Sequence, residues 1–287
     1  MRSSPRVFCL RRDSRRHQRV TGRVTKPKYD PERAPLTLDV AGRAIACRTV
    51  EAYGAGALQP GIVWLGGFKS DMRGSKALAL EDYAQAHARA FLRFDYSGHG
   101  ESSGDFREGT IGRWLEESLF AFRALTVGPQ IIVGSSMGGW LAMLLARELA
   151  RRNEQTRIAG MVLIAPALDF TQDLMWPELP EEARRAIETE GVWLRPSEYG
   201  PEPYPLTRAL FEDGRRHLLL GGEVRAHAPV HILQGMRDES VPWRHALKIV
   251  EHLAADPVVL TLIRDGDHRL SRPEDIARLI AAVEAIA

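Results

Sequence analysis

Gly134-Ser135-Ser136-Met137-Gly138 sets a serine between glycines, directly after the apolar run 130–133 and at the head of an apolar helical pattern over 137–151. At a tight strand-to-helix turn of this kind the serine is lifted from the sheet edge toward solvent, and the flanking glycines let neighbouring backbone pass close. The helix beginning there presents free N–H groups and partial positive charge, which favour an alkoxide or oxyanion. The chemistry this suggests is attack of the Ser136 hydroxyl on a carbonyl carbon. The plainer alternative is a helix-capping serine with no reaction to perform.

A serine hydroxyl is a poor nucleophile at neutral pH, so the chemistry demands a histidine base and a carboxylate to orient it. Among nine histidines, His268 follows the apolar run 258–263 in Asp265-Gly266-Asp267-His268. His17 belongs to the N-terminal stretch, His87, His245 and His252 fall inside helical patterns, His231 inside a strand, and His217 and His227 in or beside an aromatic-rich segment. His99 is the rival, in Asp95-Tyr96-Ser97-Gly98-His99-Gly100. It precedes Ser136 and sits in a glycine-rich turn, where a turn residue is the better reading, with Asp95 a turn-stabilising carboxylate. For the acid, Asp238 comes just after the run 230–234, with Glu239, Asp265 and Asp267 as alternatives. Asp238 is preferred because it and His268 both fall at carboxyl ends of strands, where open α/β sheets place their sites.

A tetrahedral intermediate needs two N–H donors. Met137, directly after the nucleophile, supplies one by its position, and Phe68 in Gly66-Gly67-Phe68-Lys69-Ser70-Asp71 is the expected second, its ring then lining an acyl pocket. A glycine turn ahead of a helix is the alternative for that loop. Phe170, Leu174, Met175, Trp176, Val192, Trp193, Tyr199, Tyr204 and Phe211 give the stretch 169–226 a surplus of apolar and aromatic residues. Most of these seal a lid to a core, with Trp176 and Trp193 the candidates for substrate contact. Arg195, Arg208, Arg215 and Arg216 in the same stretch could hold a carboxylate, though a solvated basic face is the stronger reading.

Positioning these groups requires a regular scaffold. Runs at 36–40 and 43–51 read as an antiparallel pair turned at Ala41 and Gly42, followed by strands at 61–65, 91–94, 130–133 and 161–164 alternating with helices at 76–89, 112–126 and 137–151. After residue 226 the rhythm resumes with a strand at 230–234, a helix at 242–253, a strand at 258–263 and a helix from Pro273. The pattern is that of an α/β protein with a mostly parallel sheet of eight-stranded type covered by helices on both faces. The interruption holds six of the seventeen prolines and no strand pattern. It is too long for an ordinary connection, so a helical cap is expected. The expected organisation is a basic, disordered tail at 1–34, core at 35–168, cap at 169–227, and core again at 228–287.

The chain of 287 residues is 26% charged and 44% hydrophobic, which excludes a fibrous or wholly disordered protein and gives enough length for a substantial core. Cys9 and Cys47 cannot build a disulfide framework and suggest a reducing compartment. The net charge of +2 is uneven: residues 1–30 carry ten Arg or Lys against Asp13 and Asp30, so +8 resides there and −6 in the remaining 257. That basic stretch lacks the aromatic interleaving of a nucleic-acid platform, so no nucleic-acid partner is expected; its apolar runs are too short to span a membrane. Arg supplies 34 of the 39 basic residues, the usage of a GC-rich genome, which favours a bacterial source and a cytoplasmic location. A mitochondrial matrix location is the alternative if the basic stretch is a transit peptide.

Over residues 36–287 the chain resembles the α/β-hydrolases, and more narrowly the palmitoyl-protein thioesterases that also cleave acyl glucuronides, with their bacterial relatives. The resemblance is carried by Lys76-Ala77-Leu78-Ala79, Arg93-Phe94-Asp95-Tyr96-Ser97-Gly98, Gly134-Ser135-Ser136-Met137-Gly138-Gly139-Trp140, His231-Ile232-Leu233-Gln234-Gly235-Met236-Arg237-Asp238, Val241-Pro242-Trp243 and Asp267-His268-Arg269. It implies Ser136, Asp238 and His268 as nucleophile, acid and base of a serine hydrolase that needs no metal or cofactor. The expected partner is a small-molecule acyl ester or thioester, or an S-acylated protein, with the oligomeric state left open. Amide or C–C bond hydrolysis on the same triad, and a non-catalytic acyl-ligand receptor, are the competing readings.

Overall fold

The computed structural model describes residues 34–196 and 203–287. The tail at 1–33 and the cap residue Tyr199 lie outside the described residues. Strands β1 (Leu36–Val40) and β2 (Arg43–Val50) form the opening hairpin. Its two turn residues, Ala41 and Gly42, both take positive φ, 52° and 80°, the twist that a two-residue hairpin requires. Then follow β3 (Gly61–Leu65), α1 (Ser75–Ala86), β4 (Phe91–Phe94), α2 (Ile111–Leu125), β5 (Gln130–Ser135), α3 (Met137–Arg151) and β6 (Ile158–Ile164). Between β6 and the next long strand lie α4 (Glu181–Thr189), β7 (Val192–Arg195), β8 (Tyr204–Thr207) and α5 (Arg208–Arg215). The chain closes with β9 (Val230–Gly235), α6 (Trp243–His252), β10 (Val258–Ile263) and α7 (Pro273–Glu284).

Eight strands form one sheet in the order β1-β2-β4-β3-β5-β6-β9-β10. Pairing is antiparallel from β1 through β2 to β4 and parallel from there to β10. Helices cover both faces, and alternation along β3 shows how: Ile62 and Trp64 join the α1 and α7 side, Val63 and Leu65 the side of α2, α3 and α6. All five residues of β3 are buried, which is why this strand reads as an unbroken apolar run. Each such Val, Ile or Leu contributes about 1.5–3 kcal/mol by leaving water. The crossovers deliver the loops after β3, β5, β9 and β10 to one rim, the carboxyl ends of the parallel strands.

The segment between β6 and β9 departs from expectation in one respect. It contains a two-stranded antiparallel ladder, β7 with β8, pairing Val192 with Thr207 and Arg195 with Tyr204. Four-residue strands lack the length to show alternation, and Pro205 in β8 masks the second one. The proline is tolerated because a two-stranded ladder has only edges. Thr207 ends β8 and caps α5, its hydroxyl accepting the N–H of Leu210 at 3.2 Å.

Next to the rim, Arg93 on β4 and Glu81 on α1 form an ion pair of 2.8 Å with both side chains at most 3% exposed. Arg93 also donates to the carbonyl of Met72 at 2.9 Å, tying the loop after β3 to the sheet. Removing one partner leaves the other charge buried and uncompensated. Glu81→Ala is therefore expected to cost about 3–5 kcal/mol in urea unfolding, while replacing both residues by apolar ones of similar size costs much less. A single-variant loss below about 1 kcal/mol would contradict that account of the pair.

Candidate active site

The β5–α3 junction forces Ser136 into a strained conformation, φ 54° and ψ −117°. The surroundings hold it there: its N–H donates to Ile164 at 2.9 Å, and its carbonyl accepts from Gly139 at 2.9 Å and Ala167 at 3.1 Å. Space at the turn comes from Gly138, where a Cβ would collide with the carbonyl oxygen of Leu65 at the end of β3. The serine side chain, half-buried, is left facing the rim.

The loops after β9 and β10 are neighbours because the two strands run in parallel register to their ends, Ile263 opposite Gly235. Arg237 donates its N–H to Gly266 at 2.9 Å, and a Cβ on Gly235 would strike that same carbonyl. This contact sets Asp238 against His268. Asp238 Oδ1 accepts the N–H groups of Ser240 (2.9 Å) and Val241 (2.8 Å), and Oδ2 accepts His268 Nδ1 at 2.8 Å and Gln234 Nε2 at 3.2 Å. The other ring nitrogen of His268, Nε2, lies 3.1 Å from Ser136 Oγ. A carboxylate at Nδ1 requires the proton there, so Nε2 presents its lone pair to the serine hydroxyl. The rival acids are engaged elsewhere or exposed: Asp265 pairs with Arg272 at 2.6 Å, Asp267 caps Leu270 at 2.9 Å, and Glu239 faces solvent.

Gln234 escaped the reading of the sequence. Its side-chain amide donates to Asp238, to its neighbour Gly235 at 3.0 Å and to Val241 at 3.0 Å, stitching the acid's loop onto β9. A polar residue directly after the apolar pair Ile232 and Leu233, at the end of a strand, was the available signal. Lys76 was also missed as a contact: it donates from α1 to the carbonyl of Arg269 and, at 3.3 Å, to Ser271, on the loop that carries His268. Burial pushes its ammonium down to about 8. Nothing in the local sequence could have announced it.

The loop after β3 passes beside the serine, where a Cβ on Gly67 would come within 3.4 Å of Ser136 Cβ. Among the described residues no backbone or side-chain acceptor takes the N–H of Phe68, and Met137 opens α3, ahead of the helix's internal bonds. The Phe68 ring packs on Phe106, Trp114, Phe170 and Tyr204, with centroids 5.0, 6.0, 5.7 and 6.4 Å away. Trp176 and Trp193 sit differently. Trp176 stacks edge-on with Phe211 at 5.0 Å beneath Arg215 and lines a shallow hollow with Ile187 and Arg208, and Trp193 pairs with Leu206 in the ladder. Of the four arginines, Arg208 donates to Ile187 at 3.1 Å, Arg215 covers Trp176, and Arg216 pairs with Asp213 at 2.6 Å.

Asp95 and His99 hold the turn after β4. Asp95 accepts from Met72 at 2.7 Å and Glu101 at 2.8 Å, and burial pushes its carboxyl up. His99 is 5% exposed among the rings of Tyr96, Phe106 and Trp114. Burial pushes its imidazole down to about 4, the Ser97 carbonyl opposing and Lys69 assisting.

A mostly parallel sheet with helices on both faces, and a strained serine at its central β5–α3 turn, define a class that the alpha/beta hydrolase family model also matches, over residues 54–279. The chain belongs to the alpha/beta hydrolase family. It is 37% identical over 226 residues to mouse "Palmitoyl-protein thioesterase ABHD10, mitochondrial", covering 78% of this chain and 74% of that one. Among solved structures it is similar to a putative hydrolase from Agrobacterium vitis S4, with TM-score 0.83, 50% identity, and 88% and 97% of the two chains covered. Mouse alpha/beta hydrolase domain-containing protein 10 superposes with TM-score 0.77 at 32% identity, covering 88% and 98%. The curated relatives are named as mitochondrial, in line with the alternative compartment; none of them speaks for the cytoplasmic one. No helix among the described residues is long and apolar enough to cross a membrane.

The depressed His99 imidazole makes stability pH-dependent. Its folded value, about 4, lies below the ordinary value of 6.5, so the unfolded chain takes up the proton first and stability falls as pH drops from 6.5 toward 4. The loss from this group is at most about 3 kcal/mol. Asp95, raised by burial, acts in the opposite sense and is common to the variant. Denaturant unfolding of His99→Gln is expected to show a shallower fall than the parent across that window; parallel curves would remove His99 from the account.

Proposed function

We propose that the protein is a serine hydrolase that cleaves carboxylic esters or thioesters through an acyl-enzyme. What carries the reading is His268, which bridges a buried carboxylate at 2.8 Å and a strained serine hydroxyl at 3.1 Å. His268 takes the Ser136 proton as Oγ attacks the carbonyl carbon, and Asp238 holds the imidazole and stabilises its charged form. The N–H groups of Met137 and Phe68 receive the oxyanion. The leaving oxygen or sulfur departs as alcohol or thiol with the proton that His268 carries. The freed imidazole then deprotonates water, which attacks the acyl-enzyme, and the proton passes back to Ser136 as the acid is released. These steps call on no metal or cofactor.

A thioester's leaving thiolate needs little protonation, whereas an amine must receive a proton from His268, which makes esters and thioesters the easier substrates. The thioesterase name of relatives 34–37% identical favours the thioester. The segment 169–227 is read as the cap over the acyl group, its aromatic residues reaching the rim through Phe170 and Tyr204 against Phe68.

Ser136→Ala is expected to lower kcat by roughly 10⁴-fold or more, and Asp238→Asn by about 10⁴-fold, on a p-nitrophenyl ester. A fluorophosphonate probe should label the parent and leave Ser136→Ala unlabelled. Substantial turnover by Ser136→Ala would refute the assignment, and an unlabelled, inactive parent would favour the receptor reading. Across acyl thioesters, acyl glucuronides and p-nitrophenyl esters of increasing length, kcat/KM should rise with chain length; a flat series would reduce the cap aromatics to packing.

A further inference from the structure

The geometry points to His99 as a positioning residue for the oxyanion loop, holding the Phe68–Lys69 peptide through a hydrogen bond that only the neutral imidazole can accept. The inference deepens the serine-hydrolase reading and rests on it. His99 lies in the turn after β4, off the path of proton transfer between Ser136, His268 and Asp238.

Three successive carbonyl or amide groups of the loop are each fixed by a neighbour. The hydroxyl of Tyr96 donates to the Gly66 carbonyl at 3.3 Å. The Gly67 carbonyl accepts from the Ser70 N–H at 3.2 Å and the Ser70 hydroxyl at 2.8 Å. Because a trans peptide points its N–H opposite to its C=O, this bond also aims the Phe68 N–H away from Ser70. The next peptide is held from its amide side: the Lys69 N–H donates to His99 Nε2 at 3.1 Å. With both peptide planes flanking Phe68 pinned, its φ and ψ have no freedom. The pin is needed because Lys69 takes φ 57°, a left-handed conformation that costs an L-residue about 1–2 kcal/mol and would relax if released.

The imidazole is itself held in one tautomer. Nδ1 lies 3.2 Å from the Ser97 carbonyl, which can only accept, so the proton is on Nδ1 and the lone pair on Nε2. Tyr96, Phe106 and Trp114 enclose the ring, with centroids 5.6, 5.1 and 5.2 Å away. Phe106 and Trp114 also contact the Phe68 ring, so one aromatic cluster carries both residues.

The two hydrogen bonds of His99 can be separated by substitution. Glutamine reaches the position of Nε2 and can accept from Lys69, losing Ser97; asparagine reaches that of Nδ1 and can donate to Ser97, losing Lys69. With p-nitrophenyl butyrate, His99→Asn and His99→Leu are expected to lower kcat by roughly 10- to 100-fold with KM changed less than about 3-fold, part of the 10²- to 10³-fold that one donor supplies. His99→Gln is expected to stay within about 3-fold of the parent kcat. The reverse order, asparagine active and glutamine impaired, would show that His99 only holds its own turn, and equal kcat in all variants would likewise overturn the proposal. Should His99→Asn fail to fold, folded His99→Gln with kcat down tenfold or more gives the same negative answer. Fluorophosphonate labelling of the parent keeps the two readings apart: a labelled parent with unaffected His99→Asn sinks only the positioning role, whereas an unlabelled, inactive parent sinks the hydrolase.

Discussion

A carboxylate with no exposed surface must have its charge met by donors on every side, and Asp238 is in that position. Four donors from three places in the chain converge on it: two backbone N–H groups from its own loop, an amide from β9 and an imidazole from the loop after β10. The histidine is thus required by the electrostatics of the fold, and once bound through Nδ1 it has only one nitrogen left to offer. Its direction, toward Ser136, follows from parallel pairing of β5, β6, β9 and β10, which ends the strands at one level.

The opposite wall of the site is made of backbone, and backbone is harder to aim than a side chain. The loop after β3 has no regular partner, and its course is set by single bonds to Tyr96, Ser70 and His99, with Arg93 drawing in the Met72 carbonyl. Two of those residues, Tyr96 and His99, come from the turn after β4, so the strand beside β3 supplies the frame for the β3 loop. Ser136 and, in this loop, Lys69 both take positive φ, 54° and 57°. Both conformations persist because the surroundings over-determine them.

Much of this was legible in residue order. Apolar runs bounded by glycine marked the parallel strands, since burial on both faces leaves no alternation to obscure. The glycines around Ser136 disclosed the turn, because no other residue clears Leu65 there. The pairing of Asp238 with His268, and the bonds that occupy Asp265 and Asp267, could only be ranked from strand position, because each hangs on loop geometry. The ladder of β7 and β8 was hidden by its brevity and by Pro205. Trp176 and Trp193 were singled out on composition alone; among the described aromatics of the insertion, Phe170 and Tyr204 pack on the Phe68 ring. Distance in sequence says little about which aromatic of a long insertion reaches the rim.

Tyr204 touches Phe68 from β8, and the Lys69 ammonium lies 5.5 Å from the Tyr204 ring centroid. The β7–β8 ladder and the loop after β3 are therefore in contact at this point. Under the proposed function, a guest bulky enough to displace Tyr204 would take away a side of the box around Phe68, and admission of cargo and the aim of the proposed backbone donor would be geared together. Selectivity by size would then appear in the speed of the chemical step, beyond its effect on how tightly the cargo is held.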